Sequence, residues 1–380
     1  MKKTIIYIID SLGRGGAEVM LVSTLQDVRL HYQPIIVTLA PDNAFTDQEL
    51  EGIEIICLHA TGKRKVLSAA KKLKEIIREK NPSLIHSNLY WGVIVSRLAC
   101  GHKTPHVFSL ATMMTTGIYQ HKWYSGYTKI LDLLTYRKYQ AIISPTREVL
   151  DDFEKAIGLR GKNEVLYNFV MDEFFDHSIE YIAPDKGLKL VAVGNLKDVK
   201  NYQLLVDAGK LLTQYQVSID IYGEGPDRGV LQQQINDFGL SIQLKGLNEK
   251  IYEVLPRYDG FVMCSLVEGF GISAAEAMAI GLPLLLSDIA PLREISKGNA
   301  LFFDPRDPRS FATVVKKIVD GQIDLQNLSL TGKKIAFENY TKARYLKGLL
   351  QFYDEVLHEP SHMTDRENGR PPIEKNQKVQ

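Results

Sequence analysis

The chain has little of what marks several common protein classes. Among its 380 residues there are 3 cysteines, and Cys57, Cys100 and Cys264 show neither metal-ligand spacing nor a disulfide framework. It also has no excess of either charge, since 46 Lys and Arg stand against 45 Asp and Glu. Global charge therefore gives no support to a nucleic-acid-binding protein. The cysteine usage favours a reducing compartment, the cytoplasm.

Long apolar runs are absent as well. No stretch approaches the ~20 apolar residues of a membrane span. The apolar run at residues 5–9 is too short for a signal peptide, and no small-residue cleavage site follows it, so it is better explained as a buried first strand. We expect any membrane contact to be peripheral, at the inner face of the cell membrane.

The pattern of apolar residues predicts two domains, as expected for a chain longer than one hydrophobic core supports. Short apolar runs alternate with segments of helical period, which is typical of parallel sheets covered by helices. The runs of the first series are residues 5–9, 35–39, 53–58, 84–86, 106–110 and 141–144. Those of the second series are residues 188–193, 217–222, 242–245, 260–264 and 283–287. The predicted fold is α/β, with two Rossmann-like doubly wound sheets facing across a ligand cleft.

The boundaries follow from composition. An N-terminal domain is predicted over residues 1–178, a polar linker containing Pro184 over 179–187, and a C-terminal domain over 188–341. An amphipathic helix at 342–358 is expected to pack back toward the N-terminal domain. The polar tail at 359–380, which contains Pro371 and Pro372, is predicted to be disordered.

The most informative motif pairs two carboxylates eight residues apart. Glu268 and Glu276 bracket a glycine-containing turn after the apolar run at 260–264, and a helix is predicted to begin at Ser273. Amides at that helix start would favour a phosphate, and the two carboxylates could hold sugar hydroxyls. The alternative is a capping box, in which Ser273 and Glu276 satisfy orphan amides and Glu268 is solvated.

Glycine turns follow the first strand of each predicted domain. The segment at residues 11–18 can bring amides close to a phosphate or sugar, but Glu18 occupies the third glycine position of a dinucleotide-binding fingerprint. In the second domain, Gly194 precedes several cations. Lys200 could neutralise a diphosphate, whereas Lys197 is better explained as solvated. No Asp-x-Asp metal motif follows any strand.

Together the motifs resemble glycosyltransferase family 4, whose members are retaining enzymes with the GT-B fold. The resemblance covers nearly the whole chain before the polar tail and is strongest over residues 188–307. It rests on the ordered motifs Gly15-Gly16-Ala17-Glu18, Ser144-Pro145-Thr146, Tyr167-Asn168, Val193-Gly194 with Lys200, Gly223-Glu224-Gly225-Pro226, Ser265-x-x-Glu268-Gly269-Phe270-Gly271, Glu276-Ala277-Met278-Ala279-x-Gly281-x-Pro283 and Glu294. The Glu-x7-Glu segment is the most specific of them.

This resemblance implies transfer of a sugar from a nucleoside-diphosphate sugar, most often a UDP-sugar, to a hydroxyl of a glycan or lipid-linked acceptor in cell-surface polysaccharide biosynthesis. It implies no metal and no other cofactor. Glu268 and Lys200 are the implied catalytic residues. The implied donor-binding residues are Gly15, Gly16, Asn195, Lys200, Lys245, Gly246, Leu247, Glu268, Gly269, Phe270, Gly271, Ile272 and Glu276. On the acceptor side we expect Asn88, Thr112 and His86, although a structural hydrogen bond would explain His86 equally well.

Two residues depart from the family pattern. Asn195 stands where an arginine is usual, which leaves more of the diphosphate charge to Lys200. Ala111 stands where many members have a histidine near the sugar. Two alternatives therefore stay open: a non-hydrolysing nucleotide-sugar epimerase, and a non-catalytic subunit with the GT-B fold.

Two stretches could contact a membrane. The basic amphipathic segment at residues 63–80 predicts either a helix attracted to anionic lipid or a helix packed on its own sheet. The Tyr- and Lys-rich stretch at 119–139 is a second membrane or acceptor surface, with aromatic packing inside the domain as its alternative.

Overall fold

A computed structural model describes residues 2–60, 65–118, 125–182, 184 and 187–358. Within them the chain forms two parallel sheets, one of seven and one of six strands. Every strand pairing in both sheets is parallel. The predicted disordered tail at 359–380 lies outside the described residues.

The N-terminal sheet has the strand order β3-β2-β1-β4-β5-β6-β7. Its strands are β1 Thr4–Ile9, β2 Gln33–Thr38, β3 Glu54–Cys57, β4 Leu84–Ser87, β5 His106–Ser109, β6 Gln140–Ser144 and β7 Asn163–Val165. Its helices are α1 Gly16–Val28, α2 Val66–Lys80, α3 Tyr90–Ala99, α4 Ser125–Thr135 and α5 Arg147–Ile157, with a π-helical turn at Met114–Ile118. The central strand β1 is apolar on both faces because helices cover both.

The C-terminal sheet repeats this plan with the order β10-β9-β8-β11-β12-β13. Its strands are β8 Leu188–Val193, β9 Val217–Tyr222, β10 Ile242–Gly246, β11 Gly260–Met263, β12 Leu284–Ser287 and β13 Leu301–Phe303. The remaining helices are α6 Asp172–Asp176, α7 Gln203–Gly209, α8 Arg228–Asp237, α9 Ile251–Val254, α10 Ile272–Ile280, α11 Ala290–Ser296, α12 Pro308–Val319, α13 Leu325–Asn339 and α14 Lys342–His358. Short 3-10 turns lie at Asp198–Lys200 and Leu255–Arg257.

Two strands of the structure were not predicted from the sequence. These are β7 and β13, which have three residues each and pair at a sheet edge. A run of three residues is too short for a periodic pattern to register. Both strands complete sheets whose other members follow from the apolar runs.

The chain joins the C-terminal domain earlier than the predicted linker at residues 179–187. Val170 and Phe174 already belong to a hydrophobic core of that domain, and Tyr181 is buried in another. The amide of Val170 donates to the carbonyl of Tyr340 at 2.8 Å. The chain crosses between the domains twice, and the two connecting segments, near Val170 and near Tyr340, therefore lie side by side.

Helix α14 follows the second connecting segment and packs on the N-terminal domain. Its buried residues Leu349, Phe352, Tyr353 and Val356 join the core around β1. The last helix of the chain thus becomes part of the first domain.

Helix α2 contains most of the basic amphipathic segment. Its apolar side, with Ala69, Ala70 and Leu73 buried, packs against the N-terminal sheet. Of the two explanations for this segment, packing on the protein's own sheet accounts for the apolar side. Lys63 and Arg64 lie outside the described residues. None of the helices in the described ranges has the length and apolar character needed to cross a bilayer.

Candidate active site

A cleft of about 610 Å³ lies between the two domains. On one side it is lined by the turn after β1 and by residues that end β4 and β5. On the other it is lined by residues after β8 and by the loop between β11 and α10. Carboxyl ends of parallel strands meet at this edge in both sheets, which is where open α/β sheets bind ligands. Of the predicted site residues, the cleft is lined by Gly15, Gly16, His86, Asn88, Lys200, Glu268, Gly269, Phe270, Gly271, Ile272 and Glu276.

Glu268 and Lys200 form an ion pair in this cleft. The Lys200 Nζ lies 2.5 Å from Glu268 Oε1, and the Ser265 hydroxyl donates to the same oxygen at 2.7 Å. Asn201 fixes the turn that carries Lys200, because its side-chain amide donates to the carbonyls of Cys264 and Pro305 at 3.1 and 2.7 Å. The cation and the carboxylate are thus held in place before any ligand binds.

The loop after Glu268 can only be built with glycine at two positions. A Cβ on Gly269 would lie 2.1 Å from the carbonyl oxygen of Ala111 in the other domain. Gly271 has φ +88°, and a Cβ there would lie 2.7 Å from Leu292 Cδ2. The loop is therefore pressed against both domains.

Helix α10 begins at Ile272, directly behind this loop. The first amides of the helix that donate a hydrogen bond to the loop are those of Ala274 and Ala275, and both donate to the carbonyl of Gly271. Among the described residues, the backbone amides of Phe270, Gly271, Ile272 and Ser273 have no hydrogen-bond acceptor. Several free amides and the positive end of the helix dipole therefore line the cleft, an arrangement suited to a phosphate.

The capping-box interpretation of Ser273 and Glu276 is wrong. The helix is capped by Gly271 without a side-chain bond, and the Ser273 hydroxyl donates instead to the carbonyl of Val193 at 3.2 Å. The Glu276 carboxylate has no hydrogen-bond or ion-pair partner within the described ranges. Burial raises the pKa of Glu276 to about 7. This carboxylate lines the cleft without a protein partner.

The turn Gly15-Gly16 faces α10 across the cleft, since a Cβ on Gly16 would lie 3.2 Å from Ile272 Cδ1. Gly15 is the N-cap of α1. The Glu18 carboxylate folds back over it, with Oε2 2.6 Å from the position of a Gly15 Cβ, and burial raises the pKa of Glu18. Glu18 was part of a motif but was not predicted as a site residue. It sits where the start of α1 would otherwise attract an anion.

His86, which was predicted on the acceptor side, lines the cleft and makes two side-chain hydrogen bonds that support its structural alternative. Its Nδ1 lies 2.5 Å from the Tyr353 hydroxyl of α14, and its Nε2 lies 2.8 Å from the Ser109 hydroxyl. Burial lowers the pKa of His86 to about 3, so the ring is neutral at physiological pH. Asn88, by contrast, has a buried side-chain nitrogen with no partner among the described residues, next to the cleft.

The structure does not bring every predicted residue to the cleft. Asn195 and Leu247 are exposed outside its lining, and Gly246 pairs with Gly223 in an isolated bridge. Lys245 lies 3.5 Å from Asp220, as an ion pair on the outside of the sheet. Thr112 follows the lining residue Ala111 in the chain and is not itself part of the lining. Roles for these residues in binding stay predictions.

Sequence reasoning missed the contribution of α14. Tyr345, Leu349 and Tyr353 line the cleft, although they stand nearly at the end of the described chain. Their spacing of four residues on one helix face marks an inward-facing stripe. The sequence predicted that this helix packs back toward the N-terminal domain, and the structure shows in addition that its stripe reaches the cleft.

A second set of contacts joins the domains beside the cleft. The Glu294 carboxylate of α11 accepts hydrogen bonds from the amides of Arg147 and Glu148, at 2.7 and 3.0 Å, at the start of α5. Thr146, the N-cap of α5, donates to the carbonyl of Gly269 at 3.0 Å. The loop after Glu268 is therefore hydrogen-bonded directly to the N-terminal domain.

The described residues contain no group of three or more His, Cys, Asp or Glu side chains placed to hold a metal ion. The polar groups that line the cleft include the carboxylates of Glu18, Glu268 and Glu276 and the cationic side chains of Arg14 and Lys200.

Two family models match the chain in tandem. The model described as Glycosyltransferase Family 4 matches residues 14–174, and the model described as Glycosyl transferases group 1 matches residues 175–335. EpsF of Bacillus subtilis (strain 168), provisionally named a glycosyltransferase, is 23% identical over 316 residues, which are 76% of this chain and 79% of EpsF. The O-antigen chain mannosyltransferase RfbU of Salmonella typhimurium is 26% identical over 197 residues, covering 50% of this chain and 54% of RfbU.

Among solved structures, HepE of Anabaena in complex with UDP and glucose superimposes with a TM-score of 0.75 at 18% identity, over 93% of this chain and 99% of HepE. This similarity confirms the predicted pair of Rossmann-like domains.

Proposed function

Because the chain belongs to the glycosyltransferases, with a family 4 domain followed by a group 1 domain on the GT-B fold, we propose that it is a retaining enzyme that uses a nucleoside-diphosphate sugar. The observation that carries this proposal is the loop from Glu268 to Glu276. It combines a preformed lysine-carboxylate pair, free helix-terminal amides and an unpartnered carboxylate on one wall of the cleft. These are the groups that a sugar, a diphosphate and a ribose would each require.

The assignment of roles follows from charge. The amides at the start of α10 would bind the β-phosphate, and the Glu276 carboxylate would accept hydrogen bonds from the ribose hydroxyls. Glu268 would contact the sugar while it holds Lys200 at the diphosphate. Placing the cation and the amides before the reaction is what makes such stabilisation effective, since no reorganisation is needed as charge develops.

The reaction breaks the bond between the anomeric carbon and the β-phosphate oxygen, and the electron pair leaves with the diphosphate. Lys200 and the free amides stabilise that charge. An acceptor hydroxyl then bonds to the anomeric carbon on the same face, and its proton passes to the departing phosphate oxygen. The Glu294 and Thr146 contacts keep the domains together around these atoms, which limits access of water.

We further propose a UDP-sugar as donor and a glycan or lipid-linked acceptor of cell-surface polysaccharide biosynthesis, reached from the cytoplasm. HepE has been solved with UDP and glucose and with UDP-glucose, and RfbU is named as an O-antigen enzyme, which supports this choice. We also propose that the positive charge at the diphosphate comes from the protein and not from a metal ion. Activity that disappears with EDTA and returns with Mg²⁺ would contradict that last point.

The test is donor hydrolysis and transfer over a panel of UDP- and GDP-sugars, with Lys200→Ala and Glu268→Ala. Removing one preorganised charged group should lower kcat by about 10² to 10³. Lys197→Ala is the matched control, because Lys197 is an exposed lysine of the same turn outside the cleft. Equal kcat/KM in Lys200→Ala and Lys197→Ala would refute the role of Lys200. Isomerised donor formed without an acceptor would identify an epimerase, and binding of neither UDP nor GDP would identify a non-catalytic subunit.

A further inference from the structure

Helix α4 turns its polar side inward and its apolar side outward. Thr128, Asp132 and Thr135 are buried. The exposed face, which we call the outer face of α4, carries Tyr127, Ile130, Leu133 and Leu134, with 48, 54, 38 and 61% of each residue accessible. Spacings of three, four and seven residues place these four side chains on one side of the helix. An amphipathic helix of a globular protein normally has the opposite orientation.

This orientation is held by buried polar contacts. Asp132 pairs with Arg97 of α3, and each of these side chains is only 1% accessible. The Arg97 guanidinium lies 4.1 Å from the centre of the Phe108 ring, and the Tyr90 hydroxyl donates to the carbonyl of Thr128 at 3.0 Å. Rotating α4 to bury its apolar side would leave a buried charge without its partner, which is strongly unfavourable. The buried pair of Arg97 and Asp132 therefore keeps the apolar side of α4 exposed.

Four cations flank the outer face. Lys129 lies on it, and Arg137 and Lys138 follow the helix, all three exposed. Arg160 adds a fourth cation, because its guanidinium donates to the carbonyl of Leu133 at 3.4 Å. The acidic residue of α4 is Asp132, which is buried on the inner side. The surface combines four apolar side chains with a cationic rim.

We propose that the outer face of α4 is a docking surface for an anionic lipid bilayer. Apolar side chains flanked by lysine and arginine are the composition of helices that lie in the membrane interface. Each cation near an anionic leaflet adds to the binding. A second copy of this chain on the same face would bring like charges together, which disfavours that occupant. The proposal does not depend on the reaction at the cleft.

Helix α4 belongs to the second of the two surfaces that the sequence suggested, the stretch at 119–139. The apolar side of α2 is buried against its sheet, whereas that of α4 is exposed. Residues 119–124 of that stretch lie outside the described residues. On the inner side of α4, Arg97 and Asp132 border a small cavity with Leu110 and Ala111, two residues that also line the cleft.

The test is sedimentation of the full chain with vesicles of phosphatidylcholine alone or mixed with phosphatidylglycerol. Wild type should sediment with the anionic vesicles and stay in solution with the neutral ones. Lys129→Ala/Lys138→Ala should weaken binding roughly 30-fold, because each cation near an anionic surface contributes about fivefold. Ile130→Ser/Leu134→Ser should abolish binding. All four side chains are exposed, so unchanged thermal melting will show that the variants are folded.

Helix α2 offers the matched control. Lys71→Ala/Lys74→Ala removes the same charge from exposed positions of a basic helix and should leave binding nearly unchanged. Equal losses in the two lysine pairs would overturn the proposal, because binding would then follow net charge. Equal sedimentation of wild type and Ile130→Ser/Leu134→Ser would overturn it as well. A lipid-free dimer that dissociates in that serine variant would assign the face to a second copy.

Discussion

Replacing Glu276 by Gln should strengthen the fold while it weakens donor binding. The carboxylate lines the cleft without a hydrogen-bond partner among the described residues, and burial raises its pKa from 4.5 to about 7. An acid whose pKa is raised by folding stabilises the native state only while it is protonated. Its contribution is complete below pH 4.5 and is lost as the pH rises through 7. A shift of this size corresponds to at most about 3 kcal/mol.

The free energy of unfolding should be measured by urea denaturation at several values between pH 5 and pH 8.5. Wild type and Glu276→Gln should be similar at the acidic end. The variant should become more stable by about 1–3 kcal/mol at the alkaline end. Other titrating groups are common to both proteins and cancel in the difference. Glu75→Gln, on the exposed side of α2, is the control and should give parallel curves.

Calorimetric titration with UDP tests the second part of the prediction, the weaker donor binding. If ribose hydroxyls donate to the Glu276 carboxylate, wild type should bind UDP more tightly as the pH rises through 7. Glu276→Gln should bind about tenfold or more weakly at pH 8, since a hydrogen bond to a charged group contributes about 1.5–3 kcal/mol. A variant less stable than wild type at pH 8.5, with unchanged UDP affinity, would refute the reasoning and return Glu276 to a structural role.

Three further predictions concern the contacts that shape the cleft. In the transfer assay, Gly269→Ala should lower kcat/KM more than 100-fold, because its Cβ would lie 2.1 Å from a backbone oxygen of the other domain. Gly229→Ala is the control and should be neutral in the same assay, since nothing lies within 4 Å of the added Cβ. Glu294→Ala should expand the particle in small-angle X-ray scattering and raise the donor KM, whereas Arg293→Ala on the same helix should do neither. Tyr353→Phe removes the hydroxyl that is hydrogen-bonded to His86 and should lower the free energy of unfolding by about 1–2 kcal/mol. Denaturant titration measures this loss, and an unchanged free energy of unfolding would contradict the prediction.

Much of the fold could be read from local patterns. Buried parallel strands are continuous apolar runs, so β1 and β8 were identified from their own residues. The glycine turn between Glu268 and Glu276 was also predicted, because a backbone that closely approaches another group requires glycine, and glycine is visible in the sequence. The sequence could not show which group each side chain contacts. Ser273 and Glu276 have the spacing of a capping box, yet Ser273 bonds to β8 in the structure.

The same limit applies to His86 and to the proposed docking face of α4. The sequence left His86 open between two roles, and the structural one is supported by Tyr353, a residue 267 positions away that α14 carries to it. For the basic segments, composition could not tell an apolar side that packs inward from one that stays exposed. The pair Arg97 and Asp132 decides this for α4, and it is a contact between two helices.

By itself, then, the sequence determined the class of fold, the order of its strands along the chain and the donor-side loop, because each depends on residues that are neighbours in the chain. The tertiary structure alone decided the contribution of α14 to the cleft, the hydrogen-bond partners of His86, the unpartnered state of Glu276 and the exposed side of α4. These depend on contacts between distant segments, whose burial and pairing energies no local pattern encodes.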